Sequence, residues 1–204
     1  MYKSLPYFVL GFHGCDREVA DKILASGSDH LKPSENDYDW LGNGIYFWEN
    51  SPERALQYAR HLKKNPTRGK ANIKNEAVIG AIIDLGNCLN LLEFESLQTI
   101  KAGYDMLLQS QKLSGFPLPS NTKPLGEEED VLIRRLDCAV IEMTYAYWGK
   151  DPFDTVRGVF WEGKELYPNA GFREKNHIQI CVRNHNCIKG YFHPRKAMDT
   201  FPVP

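Results

Sequence analysis

The chain has 204 residues, 42% of them hydrophobic, and a formal net charge of −1. That length supports one substantial core, so a single domain over residues 1–204 is expected. The near-neutral balance provides no global field for nucleic acid or an anionic membrane. Neither an apolar run of about 18 residues nor a basic-then-apolar leader is present, and a soluble cytoplasmic protein is expected. Cys15, Cys88, Cys138, Cys181 and Cys187 are odd in number and lack CxxC spacing, which fits free thiols in a reducing compartment.

Tyr7-Phe-Val-Leu-Gly-Phe-His13 is a run of strand formers ending in His13-Gly14. Asp16 is placed to cap a helix with Val19, Ala20, Ile23 and Leu24 at helical spacing, closed by Gly27. Residues 28–39 are polar, contain Pro33 and have no apolar period, so they form a loop of the length that is usually functional or mobile. Trp40-Leu-Gly-Asn-Gly-Ile-Tyr-Phe-Trp48 then brings a glycine turn into a buried strand. Ser51 and Pro52 start a helix running to about Lys64.

Residues 63–75 carry Lys63, Lys64, Arg68, Lys70 and Lys74, readable as a solvated loop or as a contact to a phosphate backbone. Ala77–Asp84 is apolar enough for a central strand. Helical character follows from Glu93 to about Leu113, then a Pro/Ser/Gly-rich loop over 114–126. Glu127 to Leu136 is expected to form an acidic-started helix, with Asp137 capping another that carries Val140, Met143 and Tyr147. Strands are expected at Arg157–Trp161, His177–Val182 and Ile188–Phe192. Strands at both ends and helices between them give an α+β fold with a mainly antiparallel sheet.

Singly, His13, Tyr46 and Tyr58 read as core residues; together they change meaning. An apolar strand ends in His13-Gly14, and a helix follows with Ile23-Leu24 before Ser26-Gly27. After a Pro-containing loop come Gly42-Asn-Gly-Ile-Tyr-Phe47 and, on the next helix, Tyr58. Over residues 7–58 the chain resembles the catalytic domain of poly-ADP-ribose polymerases and, more distantly, diphtheria-type ADP-ribosylating toxins. The strand at Gln179-Ile-Cys-Val182 stands where that family carries its last motif.

The resemblance implies a split α+β ADP-ribosyltransferase-like sheet with flanking helices, NAD as co-substrate, and cleavage of the nicotinamide–ribose bond. It gives His13 a ribose hydroxyl, the Gly14 backbone the carboxamide, Tyr46 and Tyr58 the two faces of the nicotinamide, and Lys32 the pyrophosphate. The catalytic set becomes His13, Tyr46 and Gln179. The implied partner is a macromolecular acceptor, protein or nucleic acid, and the likeness to toxins and phage-defence effectors adds an antitoxin or inhibitor protein.

Three departures qualify this. Cys15 and Ala55 stand where the polymerases have serines, and Gln179 replaces the catalytic glutamate. An amide can hold a ribose hydroxyl but cannot take a proton, so chain elongation is not expected. Glu174, five residues upstream of Gln179, is either the missing carboxylate or an exposed surface acid. The expected activity is single ADP-ribose transfer. The alternatives are a silent NAD- or ADP-ribose-binding module and an NAD glycohydrolase. His177, Cys181, His185, Cys187 and His193 lack the paired spacings of zinc sites, so no metal is assigned.

Overall fold

Asp16 ends the first strand and starts the first helix. Its carboxylate accepts from the Glu18 amide, as an N-cap does, and also from the amides of Lys74 (2.6 Å) and Asn75 (3.0 Å), tying the helix start to a strand sixty residues on. The computed structural model describes residues 8–66, 72–124, 130–149 and 152–195. Tyr7, Arg68, Lys70 and the expected helix start at Glu127 lie outside the described residues.

In chain order the elements are β1 (Phe8–Asp16), α1 (Arg17–Ala25), β2 (Ile45–Glu49), α2 (Pro52–Lys64), β3 (Glu76–Asp84), β4 (Cys88–Asn90) and α3 (Phe94–Ser114). There follow β5 (Asn121–Thr122), β6 (Ile133–Arg134), α4 (Arg135–Tyr147), β7 (Thr155–Phe160), β8 (His177–Val182) and β9 (Ile188–Phe192). The main sheet runs β4-β7-β8-β2-β1-β3-β9, antiparallel except for the β4–β7 pair, and β5 pairs with β6 apart from it. The class is α+β with a mostly antiparallel sheet.

Alternation along the strands divides the molecule into two apolar layers. Cys15, Ile45, Phe47, Ile79, Ala81, Ile180 and Val182 face one way, with Ala20 and Ile23 of α1 packed against them. On the other face, Phe12 and Trp48 meet Ala55 of α2, while Cys181 and Val156 meet Ile141 of α4.

Several expectations need correction. β1 does not stop at His13-Gly14 but continues to Asp16. Helix α1 ends through an extended Ser26, and Gly27 is not among the left-handed residues. The 77–84 run is internal, between β1 and β9, yet only one strand from the sheet edge. Residues 130–134 are not helical, and Asp137 lies inside the first turn of α4 rather than before it. The Asn121 side chain, from β5, caps that helix instead, accepting from the amides of Leu136 and Asp137.

Candidate functional site

The two edges of β1 are paired very differently. Toward β3 the register is unbroken from Phe8↔Asp84 to Asp16↔Glu76. Toward β2 only Gly11↔Glu49 and Phe12↔Trp48 pair, with the Asn50 amide donating to the Leu10 carbonyl just beyond. That last bond shows which way Leu10 points its peptide groups. Because successive residues of a strand alternate edges, Phe12 and Gly14 point theirs toward β2 as well. The ladder stops after Phe12, so the Gly14 N–H and C=O face an opening between β1 and β2.

His13 explains why the ladder stops there. Its Nδ1 donates to the Tyr46 carbonyl at 2.7 Å, taking the acceptor that the Gly14 amide would use in a continued ladder. With Nδ1 carrying the proton, Nε2 keeps a lone pair. Burial lowers the His13 pKa, against the opposing pull of the Tyr46 carbonyl, so the ring is neutral at pH 7 and Nε2 can accept. The ring sits edge-on to Phe47, on the α1 side of the sheet.

Gly14 is required for a second reason. A Cβ there would overlap the Ala55 carbonyl oxygen, and Ala59 is next in line. Small residues one turn apart on α2 thus let the helix lie directly on β1 beside the opening. Ala55, fully buried, packs against this strand instead of presenting a polar group. Cys15 faces the apolar core, and burial pushes its thiol up to about 11.

Tyr46 is committed to the turn that precedes it. Its hydroxyl accepts from the Leu41 amide (2.9 Å) and donates to the Gly42 carbonyl (2.8 Å), while its ring packs against the Leu41–Ile141–Cys181 cluster. Burial raises its pKa well above the ordinary phenol value. Gly42 has φ +76°, and a Cβ on Gly44 would lie 2.6 Å from the Val182 carbonyl, so both glycines are dictated by the turn. Glu142 of α4 holds it from outside: it accepts from the Asn43 amide at 2.7 Å and takes both ends of the Arg183 guanidinium.

Tyr58 of α2 is 42% exposed, and its ring centroid lies 4.9 Å from that of Trp48. Of the two rings expected to hold a nicotinamide, Tyr58 is the accessible one. The 28–39 loop passes from one face of the sheet to the other: Leu31 is buried with the α1-side core, Ser34 bridges to Gly44, and the Asp39 carboxylate acts on both Tyr46 and Tyr58. Lys32 is exposed beside the buried Leu31.

Gln179 is paired with Trp48 on one edge and Gly158 on the other, so its side chain shares the α2 face with Trp48. That side chain is half-buried and has no hydrogen bond to the described residues. Glu174 is exposed at the end of the β7–β8 hairpin, where its amide donates to the Lys164 carbonyl.

Sequence reasoning missed a polar cluster next to these residues. Glu162 is 7% exposed, and Arg54 Nη2 lies 3.7 Å from its Oε2. His177 lies between Phe160 and Trp48, at ring separations of 5.5 and 6.3 Å. Trp48 Nε1, Arg54 Nε and His177 Nε2 are buried without a hydrogen-bond partner among the described residues. The signals were present: Glu162 continues the period-two face of β7, and Arg54 precedes Tyr58 by one helical turn.

Surface depressions of about 530 Å³ near Lys164, Tyr167 and Arg173, and of about 330 Å³ near Leu24, His30 and Tyr191, lie away from His13 and Gln179. Among the described residues no group of three or more His, Cys, Asp or Glu is arranged to hold a metal ion. No helix among them is long and apolar enough to cross a membrane.

The chain is 29% identical to an uncharacterized protein of the archaeon Methanocaldococcus jannaschii over 216 aligned positions, covering 94% of this chain and 91% of that protein. No family model matches, and no solved structure matches.

Proposed function

We propose that the chain is an NAD-dependent mono-ADP-ribosyltransferase that breaks the nicotinamide–ribose bond and passes ADP-ribose to a macromolecule. The observation that carries this reading is the opening between β1 and β2, where the sheet leaves a backbone donor and acceptor at Gly14 beside a neutral His13. A primary carboxamide needs that pair: its C=O accepts from the Gly14 N–H and its NH₂ donates to the Gly14 C=O. The His13 Nε2 lone pair then accepts from a ribose hydroxyl. Tyr58 supplies an aromatic face to the nicotinamide, and Gln179 fixes the sugar by hydrogen bonds.

Cleavage passes through an oxocarbenium-like state, and orientation of the sugar and of the leaving group does most of the work. An amide at Gln179 suits that task. It supplies no charge for activating a sugar hydroxyl as the next acceptor, so a single transfer is the expected product. The same amide favours the second reading, an NAD-binding module without turnover.

Incubation of the protein with NAD labelled in its adenylate phosphate, together with whole-cell extract, tests this. Label on a macromolecule supports transfer, and nuclease or protease then identifies the acceptor class. Free ADP-ribose alone indicates a glycohydrolase. Bound but unconverted NAD indicates the module, and no binding contradicts the site.

A further inference from the structure

Glu162 occupies a position on the Gln179 face, just past the strand end expected at Trp161. The β7–β8 register pairs Gly158 with Gln179 and Phe160 with His177, and one step further the Lys175 amide donates to the Glu162 carbonyl at 3.0 Å. Gln179, His177 and Glu162 therefore follow one another along one face of the hairpin. Arg54 reaches Glu162 from α2, one helical turn before Tyr58.

This cluster is short of partners. At 3.7 Å the Arg54–Glu162 contact is an ion pair without a hydrogen bond, and no described group hydrogen-bonds the Glu162 carboxylate. His177 Nδ1 donates to the Lys175 carbonyl at 2.6 Å, which leaves Nε2 as a buried lone pair. Trp48 Nε1–H and Arg54 Nε–H are buried donors with no partner among the described residues. Trp48 and His177 are 4% and 8% exposed, so water from bulk does not substitute freely. Unsatisfied donors and a lone pair on the same face as this carboxylate leave room for an incoming polar group.

Resting on the transferase reading above, we propose that Glu162 is the base for the acceptor: its carboxylate takes the acceptor's proton as that group attacks the ribose. The acceptor's lone pair forms the new bond to the anomeric carbon. The glycosidic C–N electrons leave with nicotinamide, whose ring charge is thereby neutralised, and the acceptor's proton ends on Glu162. Gly158 to Glu162 is four residues, about 13 Å along the strand. Two side chains, a sugar hydroxyl and a nucleophile together span that gap, with Gln179 on the ribose and Glu162 on the acceptor.

Burial raises the Glu162 pKa to about 7, with Asp130 pushing the same way and Arg54, Lys175 and Arg134 opposing. Arg173 and Glu174 flank the next residue, Gly163, and His177, next along the hairpin face, stays neutral because burial drops it to about 4. A base poised near neutrality follows. Glu174 has none of this surrounding structure.

The test compares Glu162→Gln, Glu162→Asp and Glu174→Gln with the wild-type protein, measuring macromolecular labelling and nicotinamide release across pH, together with NAD affinity and thermal melting. In the wild type, labelling rises through an ionisation near pH 7. Glu162→Gln should lower labelling by about 100-fold and abolish that ionisation, a far greater loss than in nicotinamide release. Glu162→Asp should restore part of the labelling, together with the ionisation. The proposal is overturned if Glu162→Gln keeps the ionisation and Glu174→Gln loses it. It is also overturned if Glu162→Gln and Glu162→Asp lose labelling and melting temperature equally, which marks a structural role. A wild-type protein that neither binds NAD nor releases nicotinamide contradicts the transferase reading itself, and the assignment of Glu162 with it.

Discussion

β1 has one edge that is fully used and one that is not. Against β3 it pairs along its whole length, and the side chains there, such as Ile79, Ala81 and Ile83, are completely buried. Against β2 it pairs at Gly11 and Phe12 and then parts from it. The same nine residues thus make a structural seam on one side and a chemically available edge on the other. A closed ladder consumes every donor and acceptor it contains, so a sheet can offer backbone groups to a ligand only where a ladder opens. The opening here is maintained from both flanks, by the His13 ring on the Tyr46 carbonyl and by α2 lying on Gly14.

The sharpest way to break this contrast is at Gly14. Gly14→Ala drives a methyl into the Ala55 carbonyl and should destabilise the fold by about 3 kcal/mol in denaturant titration. Gly190→Ala, in β9 where nothing lies within 4 Å, should change stability by less than about 0.5 kcal/mol. Equal effects at both positions would mean that α2 does not press on the open edge.

His13→Ala separates the chemistry of the opening from its architecture. Losing one half-buried hydrogen bond should destabilise the fold by about 1 kcal/mol, whereas NAD turnover should fall at least about 100-fold. Wild-type turnover in that variant would remove the opening from the mechanism. Tyr58→Ala should weaken NAD binding by about 1 kcal/mol by calorimetry, the scale of one lost aromatic contact. Unchanged affinity would move the nicotinamide platform elsewhere.

The elements that border the opening were legible in the sequence, because local signals specify them. Apolar runs gave β2 and β8, Ser51-Pro52 gave the start of α2, and Asp16 gave the cap of α1. The region before α4 was not legible, because its cap is Asn121, fourteen residues before the helix begins at Arg135, and a distant cap leaves no local signature. Nor could the sequence say which edge of β1 would lose its partner, since that depends on a His13 ring reaching a carbonyl 33 positions away. Glu162 was hidden by Gly163, whose turn signal ends the expected strand at Trp161, one residue before Glu162.

The smallest net effect in the wild-type protein is in acid stability, where two contributions of opposite sign largely cancel. His177 is near 4 in the fold against 6.5 unfolded, so between those values the unfolded chain binds more protons and stability is lost as pH falls. Glu162 is near 7 in the fold against 4.5 unfolded, so the folded chain binds more protons and stability is lost as pH rises through that window. His177→Phe and Glu162→Gln should therefore tilt the stability–pH curve between about pH 4.5 and 6.5 in opposite directions. Tilts of the same sign would contradict the protonation states assigned to the cluster.

The central claim is that the open edge of β1 is where NAD binds, and titration of ¹⁵N-labelled protein with NAD, followed residue by residue through its amide resonances, tests it most directly. The largest shifts should fall on the amides of Gly14 and its neighbours across the opening, Tyr46 and Phe47. The amides of the closed seam, Ile79 to Ile83, should barely move. Saturating NAD that leaves Gly14 unshifted, or that moves only resonances remote from the β1–β2 opening, would contradict it.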